Sequence, residues 1–286
     1  MEILGIDVGR DQVKAIAQGK EIVVRSRVGE WRERKLTSGE DYEVEYDRKT
    51  YFVHDLADES YCAREMATGS KVHPESLVLF LTALSQVAAS QSVSCNIVTG
   101  VPINQHDPVN KEQFSRLLSG YHEVKVNDKK YEINVEQVLI VPEGAGAYWD
   151  AVLDENGGLR DSWLANRMVR VLDIGSRTVN YCTINNRRYV DRDSGTLNYG
   201  IFELHNMNSR PTDAQGEQFS RRIIGDLSKK WMNYDEASDI VLLSGGGSLL
   251  LERWLKQQYP MARMAQDPVR ANSRGYLKMG VLKWTR

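Results

Sequence analysis

The chain has 286 residues, of which 41% are hydrophobic and 8% aromatic, enough to bury one large core or two modest ones, and two lobes are expected. A formal net charge of −2 and a pI near 6.3 provide no general field for nucleic acid or an anionic membrane. The three cysteines, Cys62, Cys95 and Cys182, are widely spaced and form no disulfide framework, so a reducing cytoplasm and small core thiols are expected.

No basic segment followed by an apolar run opens the chain, and its longest apolar stretch, residues 77–84, is too short to cross a bilayer. A soluble protein follows as the expectation. His54, His73, His106, His122 and His205 show no metal-ligand spacing and are expected mostly at the surface or at caps.

Residues 2–9, Glu2-Ile3-Leu4-Gly5-Ile6-Asp7-Val8-Gly9, read as a buried strand ending in Asp-x-Gly. An aspartate at the carboxyl end of such a strand points into the crevice above the sheet, and the adjacent glycine admits a phosphate to the backbone. Residues 12–17 read as the returning strand, which sets Lys14 beside the loop as a point charge for phosphate. Residues 42–46 and 50–53 predict a second hairpin in a small charged accessory region, and the Arg32-Glu33-Arg34-Lys35 run predicts a solvated face.

The apolar spacing over 74–89 predicts a helix buried against a sheet. Residues 96–102 read as a strand with a Gly/Pro stop, 111–118 as a helix, and 125–133 as a hairpin about Asn127-Asp128. Residues 138–141 read as the next strand, closed by Pro142-Glu143-Gly144-Ala145-Gly146-Ala147. This alternation predicts α/β architecture.

Residues 154–166 read as a connection between lobes, after which the opening plan recurs. Arg170-Val171-Leu172-Asp173-Ile174-Gly175 is a second strand ending in Asp-x-Gly, residues 179–184 return, and a hairpin through Asn185-Asn186 follows. An amphipathic helix is expected over 218–232, with Phe219, Ile223, Ile224, Leu227 and Trp231 inward and Arg221 and Arg222 outward. Residues 239–250 read as an apolar strand, the glycine run Gly245-Gly246-Gly247, and a helix start whose N–H groups suit phosphate or ribose oxygens. Two Asp-x-Gly loops facing each other would hold one nucleotide.

The order of these loops resembles the actin-like ATPase superfamily of actins, chaperone ATPases and sugar kinases. Gly5-Ile6-Asp7-Val8-Gly9, Lys71-Val72-His73-Pro74-Glu75-Ser76-Leu77, Gly100-Val101-Pro102, Pro142-Glu143 and Ala271-Asn272-Ser273-Arg274-Gly275-Tyr276 resemble, more closely, the bacterial plasmid-segregation actins of the ParM/StbA/Alp type. The resemblance implies an α/β actin-like fold of two lobes, each a mixed β-sheet with flanking helices, around a nucleotide cleft. Lobe I is expected over residues 1–155, with the accessory region at about 28–70 and completion by 268–286, and lobe II over 156–267.

It further implies a polymerising ATPase with ATP or GTP and Mg²⁺ as cofactors. Its partners would be its own copies in a filament and a centromere-binding adaptor protein, with DNA reached only through the adaptor and no membrane attachment. Asp7 and Asp173 would hold the metal and its waters, Lys14 would offset phosphate charge, and Glu143 would position or polarise the attacking water. Gly9, Gly175, Ser176 and Thr178 would line the phosphates, and Gly245, Gly246 and Gly247 the ribose and base, with Arg221 or Arg222 stacking on the base.

The second loop departs from the family pattern, because Ser176-Arg177 replace glycines and Asn180 stands where an aspartate is common. An amide supplies no negative charge, which bears on metal ordering and hydrolysis rate. Two other readings accompany this one: a small-molecule kinase of the same fold, and a module that binds nucleotide without hydrolysing it.

Overall fold

The computed structural model describes residues 1–36, 42–65, 70–204 and 211–285, with only the backbone described at 63–65. The opening strand, β1 (Glu2–Val8), is buried on both faces over its last five residues, as its near-continuous apolar run requires. It pairs antiparallel with β2 (Gln12–Ala17), and β3 (Lys20–Arg25) extends that meander by one strand not anticipated from the sequence.

β4 (Arg27–Glu30), β5 (Tyr42–Tyr46), β6 (Lys49–Val53) and β7 (Ala63–Glu65) build the accessory region. The expected β5–β6 hairpin is present and turns on Asp47 and Arg48, both with positive φ. The Arg32–Lys35 run is not simply solvated: Arg32 pairs with Glu59 at 2.8 Å and lies over the Tyr61 ring, and Arg34 lies over Phe52.

α1 (Pro74–Val87) is buried nearly all round, and α2 (Pro108–Leu118) starts at Asp107, whose side chain accepts from the Val109 and Asn110 N–H groups. β8 (Ser92–Val101) lies parallel beside β1. β9 (Gly120–Val126) and β10 (Lys129–Pro142) form the hairpin predicted at Asn127-Asp128. The separate strand expected at 138–141 is instead the end of the 14-residue β10, which runs unbroken through Glu136 and Gln137. The sheet order is β3-β2-β1-β8-β10-β9-β5-β6-β4-β7.

The second sheet is built on the second Asp-x-Gly strand. α3 (Ala145–Val152) and the short α4 (Ser162–Ala165) precede β11 (Met168–Ile174), whose partners are β12 (Val179–Asn185), antiparallel, and β15 (Ile240–Ser244), parallel. β13 (Arg188–Tyr189) and β14 (Gly195–Leu197) pair with β12, and β16 (Ala262–Met264) with β15. α5 (Asp213–Ser228) begins with a Thr212/Gln215 capping box, five residues before the expected start, and ends before Trp231. Phe219, Ile223, Leu227 and Trp231 are buried and Arg221 and Arg222 exposed, as its pattern predicts, whereas Ile224 is only half-buried, packed against the cluster they form. α6 (Gly246–Gln258) and α7 (Ala271–Trp284) complete the chain.

Two compact units result, one of residues 1–100, 107–140 and 283–286, the other of residues 101–106 and 141–282. Residues 141–155 and 268–282 thus pack with the second unit, where the sequence divides the lobes at 155/156 and 267/268. Ala145, Tyr148 and Val152 of α3 and Ala271 of α7 share an apolar cluster with Val169 and Val171 of β11. Among the described residues, no helix is long and apolar enough to cross a membrane.

Cys95 and Cys182 are core residues, their thiols pushed up to about 12 by burial, but Cys62 is exposed, contrary to expectation. His122 is also buried rather than superficial, and His205 lies outside the described residues.

Candidate functional site

In the first unit, the turn after β1 carries the predicted charges. Antiparallel pairing sets Lys14 opposite Asp7, with Nζ 3.5 Å from Oδ2. A second ammonium, that of Lys71, lies 3.9 Å from Oδ1 and donates to the Gly100 carbonyl at 3.0 Å. Lys71 is only 2% exposed. Two ammonium groups around one carboxylate leave the loop with a local excess of positive charge, which suits a polyanion. A Cβ on Gly9 would lie 2.5 Å from the Gln12 carbonyl, so the tight turn itself demands glycine there. Ser26 fixes the loop by donating to the Gly9 carbonyl at 2.6 Å.

In the second unit, Glu143 follows the end of β10 and precedes Gly144, whose φ of 85° lets the chain turn into α3. The Glu143 N–H donates to the Val101 carbonyl at 2.8 Å. Its buried carboxylate accepts from Asn180 Nδ2 at 2.7 Å. The Asn180 amide is itself oriented, since Oδ1 accepts from Thr196 Oγ1 at 2.7 Å and from the Ile103 N–H at 3.5 Å. Oδ1 is thereby occupied by donors, and Nδ2 must face Glu143.

Asp173 stands at the end of β11, in register with Asn180 on one side and Ser244 on the other. It is buried, and Oδ2 accepts from Asn272 Nδ2 at 2.9 Å. The loop that follows is closed by the Gly175 N–H donating to Thr178 O at 2.9 Å. The Ile201 and Phe202 N–H groups bond the Gly175 and Ser176 carbonyls. Arg177 stacks its guanidinium 3.5 Å from the centre of the Phe202 ring.

The glycine run divides by role. Gly245 has φ +79° and a Cβ there would lie 2.4 Å from Ile174 O, while one on Gly247 would lie 2.4 Å from Ile174 Cγ2. A Cβ on Gly246 would meet nothing within 4 Å, so the first turn of α6 is open at that position. The expected stacking arginines are engaged: Arg221 pairs with Glu217 at 2.7 Å, and Arg222 pairs with Glu203 at 2.6 Å and stacks on Tyr199.

These residues fit a magnesium nucleotide in kind. Mg²⁺ retains most of its waters and takes one or two carboxylate oxygens besides phosphate. Asp7 and Asp173 are such carboxylates, in different compact units. Among the described residues, no cluster of three or more His, Cys, Asp or Glu side chains could hold a metal by itself. Lys71 and Asn272 are the residues to which sequence reasoning gives no role in the site, whereas Asn180 is expected there, as a departure within the second loop.

A family model described as the N-terminal domain of actin-like proteins matches residues 5–146. Among solved structures, the apo ParM protein of pSK41 is similar at a TM-score of 0.82, covering 98% of this chain and 97% of that one at 19% identity. An archaeal actin homologue in complex with ADP gives a TM-score of 0.77 at 19% identity, covering 98% and 99%. A 15-stranded ParM filament from Clostridium botulinum gives 0.75 at 20% identity, covering 98% of each chain. No curated protein matches the chain.

Proposed function

The chain belongs, through residues 5–146, to the actin-like proteins and has the actin-like fold, and from that premise we propose that it is a polymerising nucleotidase. It binds ATP or GTP with Mg²⁺, assembles into filaments of its own copies in the cytoplasm, and segregates plasmid DNA through a centromere-binding adaptor protein. The observation that carries this reading is Glu143, a buried carboxylate aimed by an oriented amide in the same unit as Asp173.

In this reading Asp7 and Asp173 are the residues that would hold the hydrated metal, and Lys14 and Lys71 would offset charge on the phosphates. The bound metal supplies charge neutralisation on the phosphate oxygens that bear the transition-state charge. Main-chain groups at Gly9, Gly175, Ser176 and Thr178 would line the phosphates, and the open turn at Gly246, flanked by Gly245 and Gly247, would receive the nucleoside. Glu143 would position or polarise the attacking water, and Asn180 keeps its carboxylate directed. ADP bound to the archaeal homologue and the filament formed by the clostridial ParM support this reading.

The test is light scattering and phosphate release with each nucleoside triphosphate and Mg²⁺. Both signals should rise with protein concentration, and Glu143→Gln should lower turnover about 10²- to 10⁴-fold while assembly persists. A protein that stays monomeric with every triphosphate defeats the proposal.

A further inference from the structure

We infer that Asn272 is a positioning residue that sets the carboxylate of Asp173. The inference rests on the functional reading above, in which Asp173 serves the metal. Asn272 stands in the first turn of α7 and is buried. Its Oδ1 accepts the Ala147 N–H at 3.2 Å, and its Nδ2 donates to Asp173 Oδ2 at 2.9 Å. The reversed amide would oppose donor to donor and acceptor to carboxylate, so its partners fix which atom faces Asp173.

The backbone makes this bridge possible. A Cβ on Gly275 would lie 1.8 Å from the Gly146 carbonyl oxygen, and one on Gly146 would lie 2.5 Å from the Asn272 carbonyl oxygen. Only glycines allow α3 and α7 so near an approach, and the approach carries the Asn272 amide to both of its partners. The Ala147 N–H belongs to the first turn of α3, one of the donors that a helix leaves without an internal acceptor. Asn272 therefore joins a helix start to a strand-end carboxylate. Its donor holds the plane of that carboxylate before a cation arrives, as outer partners of metal ligands do.

A role confined to capping α3 would make Asn272 a matter of stability alone, and two measurements separate the cases. The first uses nucleotide-free protein: urea unfolding of wild type, Asp173→Ala, Asn272→Ala and the double variant. Coupling predicts that the double variant's unfolding constant falls short of the product of the single effects by roughly threefold or more. Multiplicative effects overturn the inference.

The second measures Mn²⁺ affinity in the presence of ADP by electron paramagnetic resonance, beside ADP affinity without metal. Asn272→Ala should weaken Mn²⁺ binding about 10-fold or more and leave metal-free ADP affinity within about twofold. Equal Mn²⁺ affinity in the two proteins overturns it. Should Asn272→Ala fail to fold, Asn272→Ser carries the same comparison, since its short hydroxyl serves at most one of the two partners. A wild type that binds no nucleotide defeats the functional reading, and the positioning of Asp173 then stands or falls on the unfolding cycle.

Discussion

Asn180 Nδ2 donates to Glu143 Oε2 at 2.7 Å, from a residue 37 positions further along the chain. The same amide receives Thr196 Oγ1 at 2.7 Å on its other end. Asn180 thus acts as a neutral donor to the carboxylate proposed to serve the attacking water. A second acid at this position would set like charges at hydrogen-bond distance, and one of them would retain a proton.

Asn180→Ala should therefore lower the turnover number about 10- to 100-fold, since a misdirected base loses its alignment with the water. The KM for nucleotide should stay within about twofold, and in a Glu143→Gln background the same change should have almost no further effect. Steady-state phosphate release on the four proteins checks this, and an undiminished loss in the Glu143→Gln background contradicts it.

Lys71→Met keeps most of the apolar stem of the buried side chain and removes its charge beside Asp7. Triphosphate affinity should weaken roughly tenfold or more, the scale of a hydrogen bond to a charged group. Equilibrium binding of a fluorescent triphosphate analogue measures it. Adding salt should narrow the gap between the two proteins only slightly, because the site is buried.

Gly275→Ala and Gly225→Ala are the same substitution in opposite surroundings. At 275 the new methyl meets the Gly146 carbonyl, and overpacking should cost about 1–3 kcal/mol or more. At 225, within α5, nothing lies within 4 Å, and replacing a mid-helix glycine should stabilise by about 0.5–1 kcal/mol. Urea unfolding of both variants should give shifts of opposite sign.

His122 is buried on β9, with Tyr46 Oη 3.0 Å from Nδ1 and the Leu118 carbonyl 3.1 Å from Nε2. Neutral imidazole satisfies both by donating from Nε2 and accepting at Nδ1. Burial lowers its pKa from the ordinary value, against the opposing pull of the Leu118 carbonyl. The unfolded chain then binds more protons between the folded value and the ordinary one near 6.5. This contribution to stability is complete above the ordinary value and is lost as pH falls through it towards the folded value. On acidification from about pH 7.5 to about 5.5, a His122→Gln variant should lose less melting temperature than wild type.

Much of the fold was legible because local rules and tertiary demands agree. The apolar run before Asp7 is long enough only for a buried strand, and Asn127-Asp128 and Asn185-Asn186 mark hairpins by their turn chemistry. β10 was divided because Glu136 and Gln137 interrupt its apolar pattern, although the ladder needs only backbone groups to continue.

The carboxylates of the candidate site could be read from their strand-end positions, and Lys14 beside Asp7 from the returning strand, but the contacts of Lys71 and Asn272 could not. Asn272 lies 99 residues from Asp173, and although residues 271–276 carry part of the family resemblance, nothing in that stretch points to Asp173 as its partner. Lys71 opens a stretch that carries part of the resemblance, but its burial beside Asp7 emerges only from the fold. Periodicity reports which face a residue occupies, whereas a hydrogen bond between distant segments depends on how helices and strands stack.

The run at 245–247 bears on how relatives of this chain diverge. Crowding from Ile174 forbids a side chain at both outer positions whether or not any ligand is present, so a relative that binds nothing there would still keep those two glycines. Only the middle position is released from internal packing. Its identity across a lineage, rather than the length of the run, is the informative record of whether a ligand has continued to rest there.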